Sequence, residues 1–444
     1  MNVSRNIPAA RWAALIGLLP VLGLAAQPWT AGEAVATALR NHPDAALAQA
    51  RVAAADAMIE QANAAWLPQL SVSGRYTQTN SPMMAFGSIL NQRAFNFSLD
   101  FNHPGRIDNL NATGTVGYNL YSGGRATAGK KAAQAGARAA AEDLRAAQHQ
   151  LATEAIKALL NLRKAREAVA TLEAGVQAFA AAAENARLRF DAGQVLKADL
   201  LSLEVQLAQT REQLTLARHG AALAERAFLF VLGQPPTAGE AVELASHDPS
   251  LAAMQLAPTA DSAVRPELAS LRDRVAAAEK MVAVARSARR PTVNAFASYQ
   301  YDQGWKLNRH ADSWLAGVAI DLNVFDGGQT SGKIRQAEAE LEQVQEMLRK
   351  AELGFALEAE QARLAHLSAR ERLEVSAQTV AQAEESAALS RARFEAGALL
   401  AADLIGVESR LLEARMRRTF AEADERIALA ELHRALGRAP LAQP

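Results

Sequence analysis

The chain has 444 residues, with 47 lysines and arginines balancing 47 aspartates and glutamates, so its net charge gives no reason to expect a nucleic-acid partner. It has no cysteine, which excludes disulfides, thiolate metal sites and an acylated N-terminal cysteine as a lipid anchor. After the N-terminus no run of about eighteen consecutive apolar residues occurs, so any membrane crossing must use strands.

Residues 1–26 are expected to be a secretory signal. Arg5 and Arg11 are its charges, Trp12 to Leu24 is an apolar run, and Ala25-Ala26 offers a small-residue cleavage site. The run is too short to cross a hydrocarbon core of about 30 Å as a helix.

Beyond it the chain repeats itself. Pro43, Pro68 and Tyr76 recur at one fixed offset as Pro266, Pro291 and Tyr299. At a second offset YSGG (Tyr121 to Gly124) recurs as FDGG (Phe325 to Gly328), and RFDAG (Arg189 to Gly193) as RFEAG (Arg393 to Gly397). The offsets differ because the first copy is longer between Tyr76 and Tyr121, where repeats collect insertions in exposed loops. The expected organisation is a first repeat over 27–233, a connector over 234–264 and a second repeat over 265–444.

In chain order, a helical stretch of about Ala31 to Trp66 precedes a strand over 67–79. A second strand is expected over 113–121, and strands three and four over 291–302 and 313–325. All four alternate with period two. Leu70, Val72 and Tyr76 oppose Ser71, Ser73 and Arg75, while Trp314, Val318 and Ile320 oppose Asp321 and Asn323. Tilted membrane strands have this length and pattern, as do strands of an antiparallel sheet in water. The insertion Ser81 to Leu110 is expected to be an outward-facing loop, folded over a mouth or unstructured.

Gly123, Gly124, Gly327 and Gly328 are expected at strand-to-helix turns that need positive φ. After each pair the chain runs without proline to Phe190 or Phe394 in strong helix formers. Each run is roughly 65 residues, or about 100 Å of helix. Returning helices complete two long hairpins, over 124–232 and 328–437, with tips at Gly193 and Gly397. Pro266 to Arg290 is expected to be a shorter helix.

No catalytic, cofactor or metal constellation emerges. Gly124, Gly129 and Lys130 have phosphate-loop spacing, but Lys131 stands where a magnesium-binding Ser or Thr is needed, and the second copy has Ile334 there. The eight histidines are scattered and no nucleophile elbow occurs, so an enzyme is not expected.

The hairpin tips carry the informative residues. Each reads Arg-Phe-acid-Ala-Gly followed by Asp-Leu: Arg189, Phe190, Gly193 and Asp199 in one copy, Arg393, Phe394, Gly397 and Asp403 in the other. The aspartates can oppose the positive ends of the returning helices. The phenylalanines can meet a partner or pack between hairpins. Glu384, Glu385, Arg391, Arg393 and Glu395, close to the second tip, are candidates for charged rings around a gate.

Taken together, the leader, the duplicated strand–strand–hairpin plan, YSGG/FDGG and the paired tips resemble the TolC-like outer membrane efflux proteins over essentially the whole mature chain. That resemblance implies a mainly α fold with a membrane β-barrel. Three copies would close twelve strands in the outer membrane of a Gram-negative bacterium, continued by an α-helical barrel through the periplasm. It also implies a periplasmic adaptor and an inner-membrane pump of RND, ABC or MFS type. Many relatives have threonine three residues after the tip glycine, where this chain has Leu196 and Leu400. The expected function is passive conduction of small toxic compounds. Type I protein secretion and a soluble periplasmic scaffold are the alternatives.

Overall fold

A computed structural model describes residues 28–100, 102–235, 242–254 and 265–441. The expected leader lies outside these residues, as do parts of the connector. The elements are α1 (Ala31–Asn41), α2 (Pro43–Ala64), β1 (Gln69–Thr79), α3 (Pro82–Asn91), β2 (Ile107–Tyr121), α4 (Arg125–Asp191) and α5 (Lys197–Val231). They continue as α6 (Pro249–Ala253), α7 (Pro266–Ser287), β3 (Thr292–Gly304), β4 (Arg309–Asp321), α8 (Gln329–Glu395) and α9 (Ala401–Ala435).

The repeat is metrical. α4 and α8 each have 67 residues, and α5 and α9 each have 35. Both long helices start from a left-handed glycine, Gly124 at φ 91° and Gly328 at φ 92°, following Gly123 and Gly327 at φ 66°. The residue before each glycine pair supplies the missing cap. Ser122 Oγ accepts from Ala126 N at 3.1 Å, and Asp326 accepts from Gly328 N and Thr330 N at 3.1 and 2.8 Å. The Thr330 hydrogen bonds hold the Asp326 carboxyl below the ordinary carboxylate range. Gly129 and Gly332 lie inside α4 and α8, so the apparent phosphate loops form no cradle.

Each long helix ends in a Schellman turn. Gln194 N donates to Arg189 O and Ala398 N to Arg393 O, both at 2.8 Å, with Gly193 and Gly397 at φ 70° and 77°.

α4 is the spine. It packs on α5, α7, α2 and α9, while α8 packs on α9 and α7. The helices therefore run side by side as α5–α4–α9–α8 towards the tips and α2–α4–α7–α8 towards the sheet. Alanine fills many of the closest approaches, including Ala135, Ala139, Ala155 and Ala183. Midway along, Leu151, Ile156, Leu159 and Leu162 of α4 meet Ala34 and Val35 of α1, with Phe228 and Leu429, in the largest core. The outer flanks stay apolar and uncovered: Val205, Leu216 and Leu223 on α5, and Leu353, Leu357, Leu364 and Val375 on α8.

The same packing joint closes both repeats. A Cβ on Gly233 would lie 2.6 Å from Asn41 O, and one on Gly437 would lie 2.8 Å from Arg265 Cα. Each returning helix thus ends against the backbone just before the proline that opens the next helix.

The four strands form one antiparallel sheet in the order β1-β2-β3-β4, leaving β1 and β4 as edges. Two strands differ from their expected spans. β2 begins at Ile107 rather than 113, because pairing with β1 continues to Thr79↔Ile107. β4 covers Arg309–Asp321 rather than 313–325, because a short turn with Asn308 at φ 48° sets Arg309 opposite Gly304.

Register places Leu70, Val72, Tyr76, Val116, Tyr118, Ala295, Tyr299, Trp314, Val318 and Ile320 on one face. Ser71, Ser73, Arg75, Thr113, Thr115, Asn294, Ser298, Gln300 and Ser313 share the other. Phe296 is an exception on the polar face. It lies over Gly317, where a Cβ would come within 2.9 Å of its ring. Within the expected loop 81–110 the chain forms α3 and the first residues of β2.

Candidate functional site

The two tips sit side by side and are not equivalent. Phe394 is 4% exposed, packed with Ala183, Ala186 and Leu203 of the first hairpin and Ala401 and Leu404 of its own. Of the two roles open to the phenylalanines, Phe394 takes the one between hairpins, as a core residue with no surface left for docking. Phe190, its repeat partner, is 36% exposed.

The arginines divide in the opposite sense. Arg189 Nη1 donates to Phe394 O at 2.6 Å, and its guanidinium lies 5.8 Å from the centre of the Phe394 ring. It runs so close to Gly397 that a Cβ there would meet Nη2 at 2.6 Å. Arg189 thus adds a cation at the C-terminal end of α8, the negative end of the helix dipole, on a carbonyl that also accepts from Gly397 N. Arg393 is exposed, with no ion pair among the described residues. Asp199 and Asp403 occupy the first turns of α5 and α9 without a side-chain cap bond.

The gate candidates separate in the same way. Glu384 accepts from Arg415 Nη2 at 2.7 Å, across α8 and α9. Arg391 forms a two-pronged pair with Glu408, which is buried, with Nη2 to Oε2 at 2.7 Å. That pairing raises the Arg391 pKa. Both residues are exposed and paired within their own hairpin, so each brings its partner's opposite charge to the surface it lines. Glu385 and Glu395 are exposed and carry no ion pair among the described residues.

Partners such as Glu408 and Arg415 could not be found from sequence, because the hairpin brings them opposite residues far earlier in the chain. The same holds for Asp424 of α9, which accepts from Lys164 of α4 at 3.0 Å and Arg372 of α8 at 2.7 Å. Burial favours its neutral form, but the hydrogen bonds and charges of these two partners dominate and lower its pKa.

The asymmetry makes a prediction. Phe394→Ser removes a buried ring and adds a hydroxyl, and should destabilise the tips by about 3 kcal/mol or more. Phe190→Ser should leave stability within about 1 kcal/mol. Limited proteolysis at the two tips reads the difference. Equal protection in both variants would contradict it.

Comparison with known proteins agrees with this geometry. A family model for outer membrane efflux protein matches residues 34–234 and 262–438. Outer membrane efflux protein BepC of Brucella suis biovar 1 (strain 1330) is 26% identical over 237 residues, 52% of this chain and 52% of its own length. The chain thus spans about half the length of that curated relative.

Among solved structures, the outer membrane protein VceC of Vibrio cholerae superposes with a TM-score of 0.75 at 20% identity, over 92% of this chain and 96% of its own. The CmeC outer membrane channel of Campylobacter jejuni gives 0.79 at 15% identity, over 99% and 95%. The open-state MtrE outer membrane channel of Neisseria gonorrhoeae gives 0.75 at 17%, over 93% and 90%. At these identities the likeness is one of fold.

Proposed function

The chain belongs to the outer membrane efflux protein family, and from that premise we propose that it is the exit duct of a tripartite efflux system. It is an outer membrane protein whose helices extend into the periplasm. In this reading, residues 1–26 are removed on export. The duct passes small toxic compounds outward from a periplasmic adaptor and an inner-membrane pump of RND, ABC or MFS type.

The observation that carries the proposal is the four-stranded sheet, with one apolar face, one polar face and two unpaired edges. Unpaired backbone groups cannot face lipid, so a membrane sheet must close, and four strands are too few. Three copies bring twelve strands, with β4 of each copy meeting β1 of the next. The apolar flanks of α5 and α8 then meet between copies and continue the barrel as a helical tube. Leu70, Val72, Val116, Val318 and Ile320 would face lipid, with Tyr299 and Trp314, paired across β3 and β4, at the interface. The polar face becomes the wall.

Energy comes from the pump, since conduction needs only a path. At the periplasmic end, Phe190 and Arg393 offer an apolar and a cationic contact to the adaptor. Gly193, Gly397, Asp199 and Asp403 shape the turns that present them. Glu385 and Glu395, with Arg393, supply charge to the gate, where clustered carboxylates favour cations.

A deletion strain tests the proposal. Sensitivity to several toxic compounds should rise and return to normal on complementation. Unchanged sensitivity with loss of a secreted protein would replace efflux by type I secretion. Recovery of the protein in the soluble periplasmic fraction without detergent would overturn the duct altogether.

A further inference from the structure

α3 does not hang free beyond the sheet. Ala85 and Ile89 on one side of this helix pack with Ile107, and Gln92 extends that buried side by one further turn. The sheet positions it covers belong to one face. Ile107, Asn109, Asp302, Gly304 and Ala311 all have polar-face register, and all are buried. The helix therefore lies across the polar face at its far end from the hairpins.

Gln92 fixes the seat. Its side chain is 0% exposed, and Nε2 donates to Asp108 O at 2.7 Å and Asn109 Oδ1 at 2.9 Å. Asn109 Nδ2 donates to Asp302 Oδ1 at 2.6 Å, and Asn111 Nδ2 donates to the same oxygen at 3.0 Å. The Gln92 amide fills a notch that exists only because residue 304 is glycine. A Cβ there would lie 2.1 Å from Oε1.

The next residue is a second anchor. Arg93 has φ 52°, a left-handed conformation that glycine would adopt at less cost. From there its Nη2 donates to Asp312 O at 3.0 Å. On the opposite side of α3, Met83 is 82% exposed and Met84 60%.

We infer that α3 is a lid across the outer mouth of the channel, seated by Gln92 and Arg93, and that it sets the size of solute able to pass that end. This rests on the reading of the polar face as the channel wall. A helix on that wall takes up lumen, and three copies place three such helices around the axis. The side turned away from the seat presents flexible methionines, a deformable apolar rim for mixed permeants. The selectivity element is thus distinct from the charged residues at the hairpin tips.

Gly304→Val fills the notch, and Gln92→Leu removes the amide that occupies it. Each is compared with wild-type protein in planar bilayers and in cells exposed to a bulky antibiotic normally excluded by the outer membrane. Both variants should raise single-channel conductance roughly two-fold or more and sensitise the cells. The chain has no native cysteine, so Gln92→Cys with Gly304→Cys gives a lock with no competing thiol. Oxidised, the pair should conduct as wild type; reduced, it should conduct as Gln92→Leu.

Assembled variants with wild-type conductance and unchanged antibiotic exclusion would overturn the lid while leaving the duct standing. Wild-type protein that does not conduct would overturn the duct itself, and the lid with it.

Discussion

Arg265→Met should lower the unfolding free energy by about 3 kcal/mol, the low end for breaking a buried charge pair. Arg265 is 0% exposed and precedes Pro266 at the start of α7. Its Nη1 donates to Glu358 Oε2 at 2.7 Å and Ala435 O at 3.2 Å, and its Nη2 donates to Glu267 Oε1 at 3.1 Å. The guanidinium also lies 4.0 Å from the centre of the Phe355 ring. One side chain thus joins the start of α7, the middle of α8 and the end of α9. Burial pushes its pKa down, but the bonds and charges of Glu267 and Glu358 outweigh that and hold it above the usual value.

Methionine fills part of the volume and satisfies none of these acceptors. Glu358 keeps Arg434, and both glutamates are partly exposed, so the loss stays near the low end. The heat stability of the purified assembly reads it. A melting temperature equal to wild type would show that this junction does not hold the second repeat together.

Gly233→Val should cost about 2–4 kcal/mol, since a left-handed β-branched residue is strained and the clash is with backbone. Gly233 has φ 72°, and its Cβ would meet Asn41 O at 2.6 Å and His42 N at 2.9 Å. No rotamer moves those atoms, so α5 must withdraw from the α1–α2 joint. Gly354→Ala is the control. It lies inside α8 with open space around it, and should be neutral or stabilising by about 0.5–1 kcal/mol. Equal effects from the two changes would remove the claim that Gly233 is a packing joint.

The periodic features were legible. Glycines at 124, 193, 328 and 397 mark turns because only backbone conformation decides them, and the long helices follow from proline-free runs of helix formers. The faces of the strands follow from alternation, whereas their ends do not. β2 reaches back to Ile107 because a partner strand is there to pair with, and β4 moves because of a turn whose key residue, Asn308, has no glycine to announce it.

The tip motifs show the same limit. RFDAG and RFEAG look equivalent, yet the helices' side-by-side order buries Phe394 and leaves Phe190 open. Glu384 and Arg391 read as free charges until α9 brings Arg415 and Glu408 to them. α3 was hidden because the seat that orders it, from Ile107 to Ala311, is spread across three strands.

The closure of three copies through their sheet edges is tested most directly by crosslinking in the outer membrane. The chain lacks cysteine, so Val72→Cys on β1 can be combined in turn with Trp314→Cys, Ala316→Cys or Val318→Cys on β4. Within one chain these strands are the opposite edges of the sheet. If β4 of each copy pairs with β1 of the next, one combination should convert the protein to a covalent species of three chains that reducing agent reverses. If every combination yields only single chains under oxidising conditions, the sheet does not close between copies and the duct is wrong.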